Sequence, residues 1–293
     1  MEKRADHMVT ERVDKEKKVP KDVRQTAASK RFGVYKSESE KAVRRAAVER
    51  DGVMEELKKI FTDYKMPTLE SYAGGVTGHH HEPDGEAFYE KIRHFTALKD
   101  RTAEEVERFS ILLLELQGEE DFGRKAGMML SAMINMGNDR HYRIHTIALD
   151  RPLYHLGFKN RKAITVFGDA GYSAGHKMEA GVIAVTGCAK GHAGNSMSGG
   201  TIVIEKDGGD TVGAGMNGGE VIVQGDARQG VGVAMTGGCI RIRGSVIRMG
   251  GSEVLGLGMR GGEIHVDGDC EIANAGLIGA GKIYHRGKLI VDK

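Results

Sequence analysis

Apolar positions change their period along this chain, from about 3.6 residues to 2, and the change divides it in two. In the first half Val43, Ala46, Ala47, Val53, Met54, Leu57, Ile60, Phe61 and Tyr64 recur at helical spacing. A capping box at Ser37 and Glu40 opens that run, Gly52 weakens it and Pro67 stops it. A second helix carries Phe88, Ile92, Phe95 and Leu98 behind Asp84. A third opens on the box Thr102 and Glu105 and carries Val106, Phe109, Leu112, Leu113 and Leu116. A fourth carries Phe122, Met129, Met133 and Ile134 and ends near Gly137. Arg143 to Leu149 alternates as a strand does, and Arg151 to Asn160, with Pro152 and Gly157, reads as a turn-rich passage into the second half.

From Ile164 onward the pattern becomes a repeat. Methionines stand at 178, 197, 216 and 235, nineteen residues apart; Met259 follows five residues late, and Ile278 fills the next slot. Three residues before each methionine is a glycine, Gly175, Gly194, Gly213, Gly232 or Gly256, and after it comes a small pair such as Gly199 and Gly200 or Gly237 and Gly238. Five residues after each slot stands Ile183, Ile202, Val221, Ile240, Ile264 or Ile283, and two further on Val185, Ile204, Val223, Ile242, Val266 or His285. That alternation is a strand with one face buried. Counting back nineteen from Ile183 reaches Ile164 with Val166, so the series has seven strands, and Leu289 with Val291 marks a closing one.

A unit of nineteen residues is too short to fold alone, and no helix fits between its glycines. Coiled so that each strand pairs in parallel with its equivalent one turn on, it buries a continuous core. The expected fold class is therefore α+β, a helical region followed by a right-handed, single-stranded parallel β-helix of about seven turns. At about 4.8 Å per rung, seven turns make a prism of roughly 33 Å, with the methionines and aliphatic columns as internal ladders. The expected division is a mobile charged tail over 1–36, a helical domain or docking extension over 37–159 and the β-helix over 160–293.

One column should face outward: Ala184, Val203, Ile222, Arg241, His265 and Tyr284. Its apolar half, Ala184, Val203 and Ile222, is a candidate docking strip for the chain's own helices or for another subunit. The delayed rung, Gly244 to Gly256, carries Arg248, Met249 and Glu253, and an insertion in a solenoid is either a binding bulge or a tolerated loop.

Composition sharpens the division. Of 43 glycines, 32 lie from Asn160 onward and 11 before it. The overall glycine share is roughly twice the usual ~7%, and the corners of the repeat account for the excess because tight bends need positive φ or close backbone approach. A net charge of +2 argues against nucleic acid or membrane as a partner, and no apolar run approaches the ~20 residues of a membrane span. Cys188, Cys239 and Cys270 are odd in number and lack CxxC spacing, and the charged N-terminus is no secretory signal, which fits a reducing, cytoplasmic setting. Residues 1–31 hold ten Lys/Arg against six Asp/Glu and almost no large apolar side chain, which predicts a solvated tail in preference to a basic arm.

Several chemical motifs have structural explanations. Gly213, Gly215 and Gly218, and again Gly256, Gly258 and Gly261, match GxGxxG, but a strand follows where a dinucleotide fold needs a helix. Asp169, Asp207, Asp226 and Asp269 recur at the turn after the strand; stacked carboxylates could take a cation, while Asx turns explain them more cheaply. His79, His80 and His81 sit in a glycine-bearing stretch that reads as a loop more than as a metal site. No catalytic residue, cofactor site or metal site follows from spacing.

The pattern G-x-x-M-x-G-G-x-I-x-V-x-G, standing here as Gly194, Met197, Gly199, Gly200, Ile202 and Ile204, resembles the GXGXG β-helix family. Two branches are similar: the C-terminal domain of the glutamate synthase large subunit, and the β-helix subunit of formylmethanofuran dehydrogenase, the latter best over Gly213 to Gly262. The resemblance implies a scaffold that holds catalytic partners in register, with flavin (FMN), iron–sulfur or metal chemistry located in those partners and no cofactor in this chain. The expected partners are other protein subunits of an oxidoreductase or amidotransferase complex. Two other readings stand beside it: an enzyme with a site at the junction of the halves using His141, His145 and His155, and a self-assembling homo-oligomer whose open ends or apolar strip pair with copies of itself.

Overall fold

The computed structural model describes residues 52–65, 83–247, 255–271 and 275–293. Outside them lie the stretch from Ser37 to Asp51 of the first expected helix, His79 to His81, and Arg248, Met249 and Glu253 of the delayed rung. Within them the chain is α+β, with four helices followed by a parallel β-helix.

Helix α1 (Gly52–Asp63) buries Met54, Leu57 and Phe61 on one stripe. Helix α2 (Pro83–Ile92) ends earlier than the periodicity predicts, because the chain breaks into a 3-10 turn at Thr96–Leu98. Helix α3 (Ala103–Leu112) opens on the expected capping box: the Thr102 hydroxyl accepts the Glu105 amide while the Glu105 carboxylate accepts the Thr102 amide. Helix α4 (Phe122–Met136) stops at Gly137 and is buried almost all round.

That burial reflects what α4 covers. Gly123, Gly127, Ser131 and Asn135 recur every fourth residue and lie against the loop 152–158, the first turn of the β-helix. A Cβ at Gly123 would stand 2.2 Å from the Pro152 carbonyl oxygen. Ser131 Oγ accepts the amides of Gly157 (2.9 Å) and Phe158 (3.2 Å) and lies within bonding distance of the His155 carbonyl, while Asn135 donates to the Phe158 carbonyl at 2.9 Å. Polar side chains of a helix thus satisfy the backbone groups that another turn would otherwise take.

The main sheet runs in the order β1 (His141–His145), β2 (Ala163–Phe167), β4 (Val182–Val185), β6 (Thr201–Ile204), β7 (Glu220–Val223), β9 (Cys239–Ile242), β11 (Arg260–Val266), β12 (Ala280–His285), β13 (Lys288–Asp292). The seven strands from β2 to β12 are those of the nineteen-residue series, paired in parallel as Ile164↔Ile183↔Ile202↔Val221↔Ile240↔Ile264↔Ile283. Strand β1 adds a rung before them, in register as His141↔Ala163. It begins two residues before the expected Arg143 and ends at His145, because the amides of Thr146 and Ile147 both bond the Phe167 carbonyl and end the ladder. Helix α3 packs on β1, and its Ser110 hydroxyl takes the His145 amide at 3.0 Å. At the other end β13 is antiparallel to β12, turning at Arg286 and Gly287, both at positive φ, as the tightest hairpins require. Smaller walls pair β3 (Gly171–Tyr172) with β5 (Ala189–Gly191) and β8 (Ala227–Arg228) with β10 (Val246–Ile247).

The core is the expected set of ladders: the isoleucine, valine and methionine columns are almost fully buried. The glycines interlock with them. A Cβ at Gly194 would stand 2.8 Å from Val221 Cγ2, and one at Gly200, whose φ is +87°, would stand 2.7 Å from the Met178 methyl of the turn before. The methionine of each turn therefore fills the space that the second glycine of the next pair leaves, which accounts for both halves of the spacing. Around the five corners from His155 to Ala234 alternate residues are left-handed, as at His192, Gly194 and Ser196. Their amides alternate in direction: His192 and Ser196 donate forward to Asp210 and Ala214, and Gly194 donates back to Ala174, each at 2.8 Å. Left-handed φ costs a non-glycine residue about 1–2 kcal/mol, and here it is offset by hydrogen bonds on both sides of the turn.

Candidate functional site

Three regions bring polar chemistry together, and the junction of the halves is the first. His155, at φ +63°, and His176 are both buried, with their Nδ1 atoms 3.3 Å apart, so one ring donates and the other accepts. Phe158 packs edge-on to both rings. Beside them Glu86 of α2 gathers Lys159 and Lys177, the latter at 2.6 Å; these two hydrogen bonds hold its carboxyl at about 2, well below the usual range. His145 is elsewhere. Its Nε2 meets Glu107 Oε1 at 2.8 Å, its ring lies on Phe167, and its Nδ1 is buried with no hydrogen-bond partner among the described residues. Burial pushes the Glu107 carboxyl up, but the His145 hydrogen bond and the Arg143 charge outweigh it and leave it lowered. His141, near the far end of β1, bonds Thr165 Oγ1 at 2.8 Å. The junction histidines thus occupy three settings instead of one constellation.

The second region is a groove of about 400 Å³ along the β3, β5 and β8 side. Three of the four recurring aspartates, Asp169, Asp207 and Asp226, line it, and their role is structural, while Asp269 lies outside it and pairs with Arg286. Asp169 Oδ1 accepts the amide of Cys188 (2.8 Å), Asp207 Oδ1 that of Asp226 (2.9 Å), and Asp226 Oδ1 that of Ser245 (2.7 Å). Each carboxylate binds the equivalent position one turn on, so the Asx chemistry expected within a turn acts between turns. Lys190 and Arg228 stand exposed beside them, Arg228 4.0 Å from Asp210, which makes the groove mixed in charge.

The third region is the outward face of the main sheet. Ala184, Val203, Arg241, His265 and Tyr284 are partly exposed, and Ile222, between Val203 and Arg241, is 7% exposed. The helical layer makes its main sheet contact at β1, away from this strip. Past Ile222 the face becomes polar. Glu220 pairs with Arg241 at 2.9 Å, Glu263 Oε2 meets His265 Nε2 at 3.2 Å, Cys239 is in register with Glu263, and Tyr284 lies flat on His265 at 4.4 Å and 2°. Cys239, Glu263 and His265 converge as a group, which spacing alone does not reveal: the offset from Cys239 to Glu263 is lengthened by the delayed rung. Applying the methionine offset from Met235 to Met259 to Cys239 is the signal that finds it.

Gly175, Gly194, Gly213, Gly232 and Gly256 sit at left-handed corners, and Met178, Met197, Met216, Met235 and Met259 in the core. The first GxGxxG match falls in the turn between β6 and β7, and the second runs from a turn into β11, which contains Gly261. Cys188, Cys239 and Cys270 are free, half-buried and in separate columns. Among the described residues no helix is long and apolar enough to cross a membrane. No family model matches the chain, and no curated protein does.

Proposed function

We propose that the chain is a noncatalytic scaffold subunit of a cytoplasmic enzyme complex, an oxidoreductase or amidotransferase assembly of the glutamate synthase or formylmethanofuran dehydrogenase kind. Its β-helix acts as the spine, and the partly exposed Ala184 and Val203 of the outward column, beside Ile222, which the structure buries, as a docking face for a partner protein. The observation that supports this reading is that α3 and α4 cover the first turn of the β-helix, while at the other end the last strand, β13, pairs antiparallel to β12. An antiparallel last strand breaks the parallel register that a further copy would have to continue, which favours the long walls as the binding surfaces. The self-assembly reading loses the open first turn, which α3 and α4 cover. The junction-enzyme reading loses its convergence, because His141, His145 and His155 are engaged by Thr165, Glu107 and His176.

The test is gentle affinity purification from the native host, with co-purifying chains identified by mass spectrometry and the visible spectrum recorded. Stoichiometric redox or amidotransferase subunits are expected, with flavin or iron–sulfur absorption in the complex. A colourless homo-oligomer, or substrate turnover by the pure chain, overturns the reading.

A further inference from the structure

The packing of the repeat explains its methionines, glycines and aspartates, but gives no reason for the donors on the outward face of β9 and β11. Cys239 stands in register with Glu263, and Glu263 and His265 are two residues apart on one strand, so all three rise from the same face at three corners of one cross-strand rectangle. One ligand atom of each, the Cys239 sulfur, a Glu263 carboxylate oxygen and a His265 ring nitrogen, lies within 4.8 Å of the other two. Glu263 Oε2 and His265 Nε2 are 3.2 Å apart. With bonds of about 2.0–2.1 Å, two such ligands on a tetrahedral ion stand roughly 3.3 Å apart. The fourth corner of the rectangle, Arg241, is drawn aside by its 2.9 Å pair with Glu220. The flat stack of Tyr284 holds the plane of the His265 ring.

We infer that Cys239, Glu263 and His265 bind one divalent cation of the zinc class, with a further coordination position open to solvent. Thiolate, imidazole and carboxylate together suit zinc, whereas calcium and magnesium prefer oxygen alone. All three side chains are partly exposed, so an ion can reach them. Burial pushes the Cys239 thiol up, so the metal-free thiol keeps its proton; binding forms the metal–sulfur bond, breaks the S–H bond and releases one proton to water.

The experiment uses the full chain purified without a histidine tag, stripped by chelator and titrated with Co²⁺. The expected result is about one equivalent bound, with a thiolate-to-cobalt charge-transfer band that Zn²⁺ abolishes. Cys239→Ser removes the band, His265→Ala and Glu263→Gln each weaken binding at least about tenfold, and Cys188→Ser and Cys270→Ser leave it unchanged. Absence of the band, or its survival in Cys239→Ser, overturns the site. Should Cys239→Ser fail to fold, alkylation of Cys239 in the unsubstituted chain decides: protection by Zn²⁺ supports the site and equal labelling with and without it sinks it. Both readouts come from the isolated chain, so this outcome is independent of whether partner proteins are found.

Discussion

Gly127 of helix α4 lies so close to Tyr154 that a Cβ would stand 1.8 Å from the Tyr154 carbonyl oxygen. The contact joins the helical half to the β-helix through backbone alone, and it inverts the usual rule for helix interiors. Alanine is favoured over glycine there by about 1 kcal/mol, yet Gly127→Ala must push the helix off the first turn and is expected to cost a net ~2–3 kcal/mol. Gly52→Ala, where a Cβ meets nothing within 4 Å among the described residues, is expected to be neutral or slightly stabilising. Denaturant unfolding of the two variants side by side checks this; equal effects would show that the contact is not close-packed.

The left-handed corner column holds Lys159, Lys177, Ser196, Gly215, Ala234 and Gly258, and Ala234, at φ +55°, is neither glycine nor able to make a side-chain hydrogen bond. Ala234→Gly relieves about 1–2 kcal/mol of strain and loses about 0.5–1 kcal/mol to the greater freedom of the unfolded chain. A gain of roughly 0.5–1 kcal/mol is expected, read as a raised denaturation midpoint with unchanged slope. A lowered midpoint would mean that the alanine methyl packs better than its backbone angle suggests.

Asp226 reaches across a full turn to the Ser245 amide. Asp226→Ala leaves that amide without its acceptor and is expected to cost about 1 kcal/mol, while Asp226→Asn keeps an oxygen in place and costs less than half as much. If the two variants were equally destabilised, the loss would be one of charge and the column would be reconsidered as a cation site.

Glu86 contributes a pH dependence with a definite sign. Lys159 and Lys177 hold its carboxyl at about 2 in the folded chain, below the ordinary value of 4.5. The stabilisation is fully present above pH ~4.5 and is lost as pH falls toward about 2. Because the side chain is 44% exposed, screening keeps the amount to well under 1 kcal/mol. Stability measured between pH 5 and 2.5 should fall more gently in Glu86→Gln than in the unsubstituted chain, and high salt should shrink the difference. Parallel curves at low salt would remove the carboxylate from the account.

Most of the β-helix was legible because a solenoid has a one-dimensional code. The same nineteen positions return to the same column, so Met178, Met197, Met216 and Met235 announce the period, and Ile183 and Val185 the buried face, without knowledge of any distant contact. The helices α3 and α4 were legible for a local reason as well, since a capping box at Thr102 and a stop at Gly137 act within one turn. Strand β1 begins two residues and ends four residues before the sequence pattern places it, because its end is set by Phe167, a partner about twenty residues away.

The order of residues along the chain dictates the rung: its length, its corners, its dry columns and the alternation of in and out. Coiling alone settles everything that depends on which rung lies beside which surface. Ser131 and Gly127 look like ordinary helix residues until α4 is laid against loop 152–158. His141, His145 and His155 look like one cluster until β1 and its loop carry them to separate partners. Cys239, Glu263 and His265 look unrelated until the delayed rung sets their register. The physical reason is the same in each case: periodicity records burial, which every residue of a column shares, whereas a site depends on directions and distances between side chains from different turns, and these exist only once the chain has coiled.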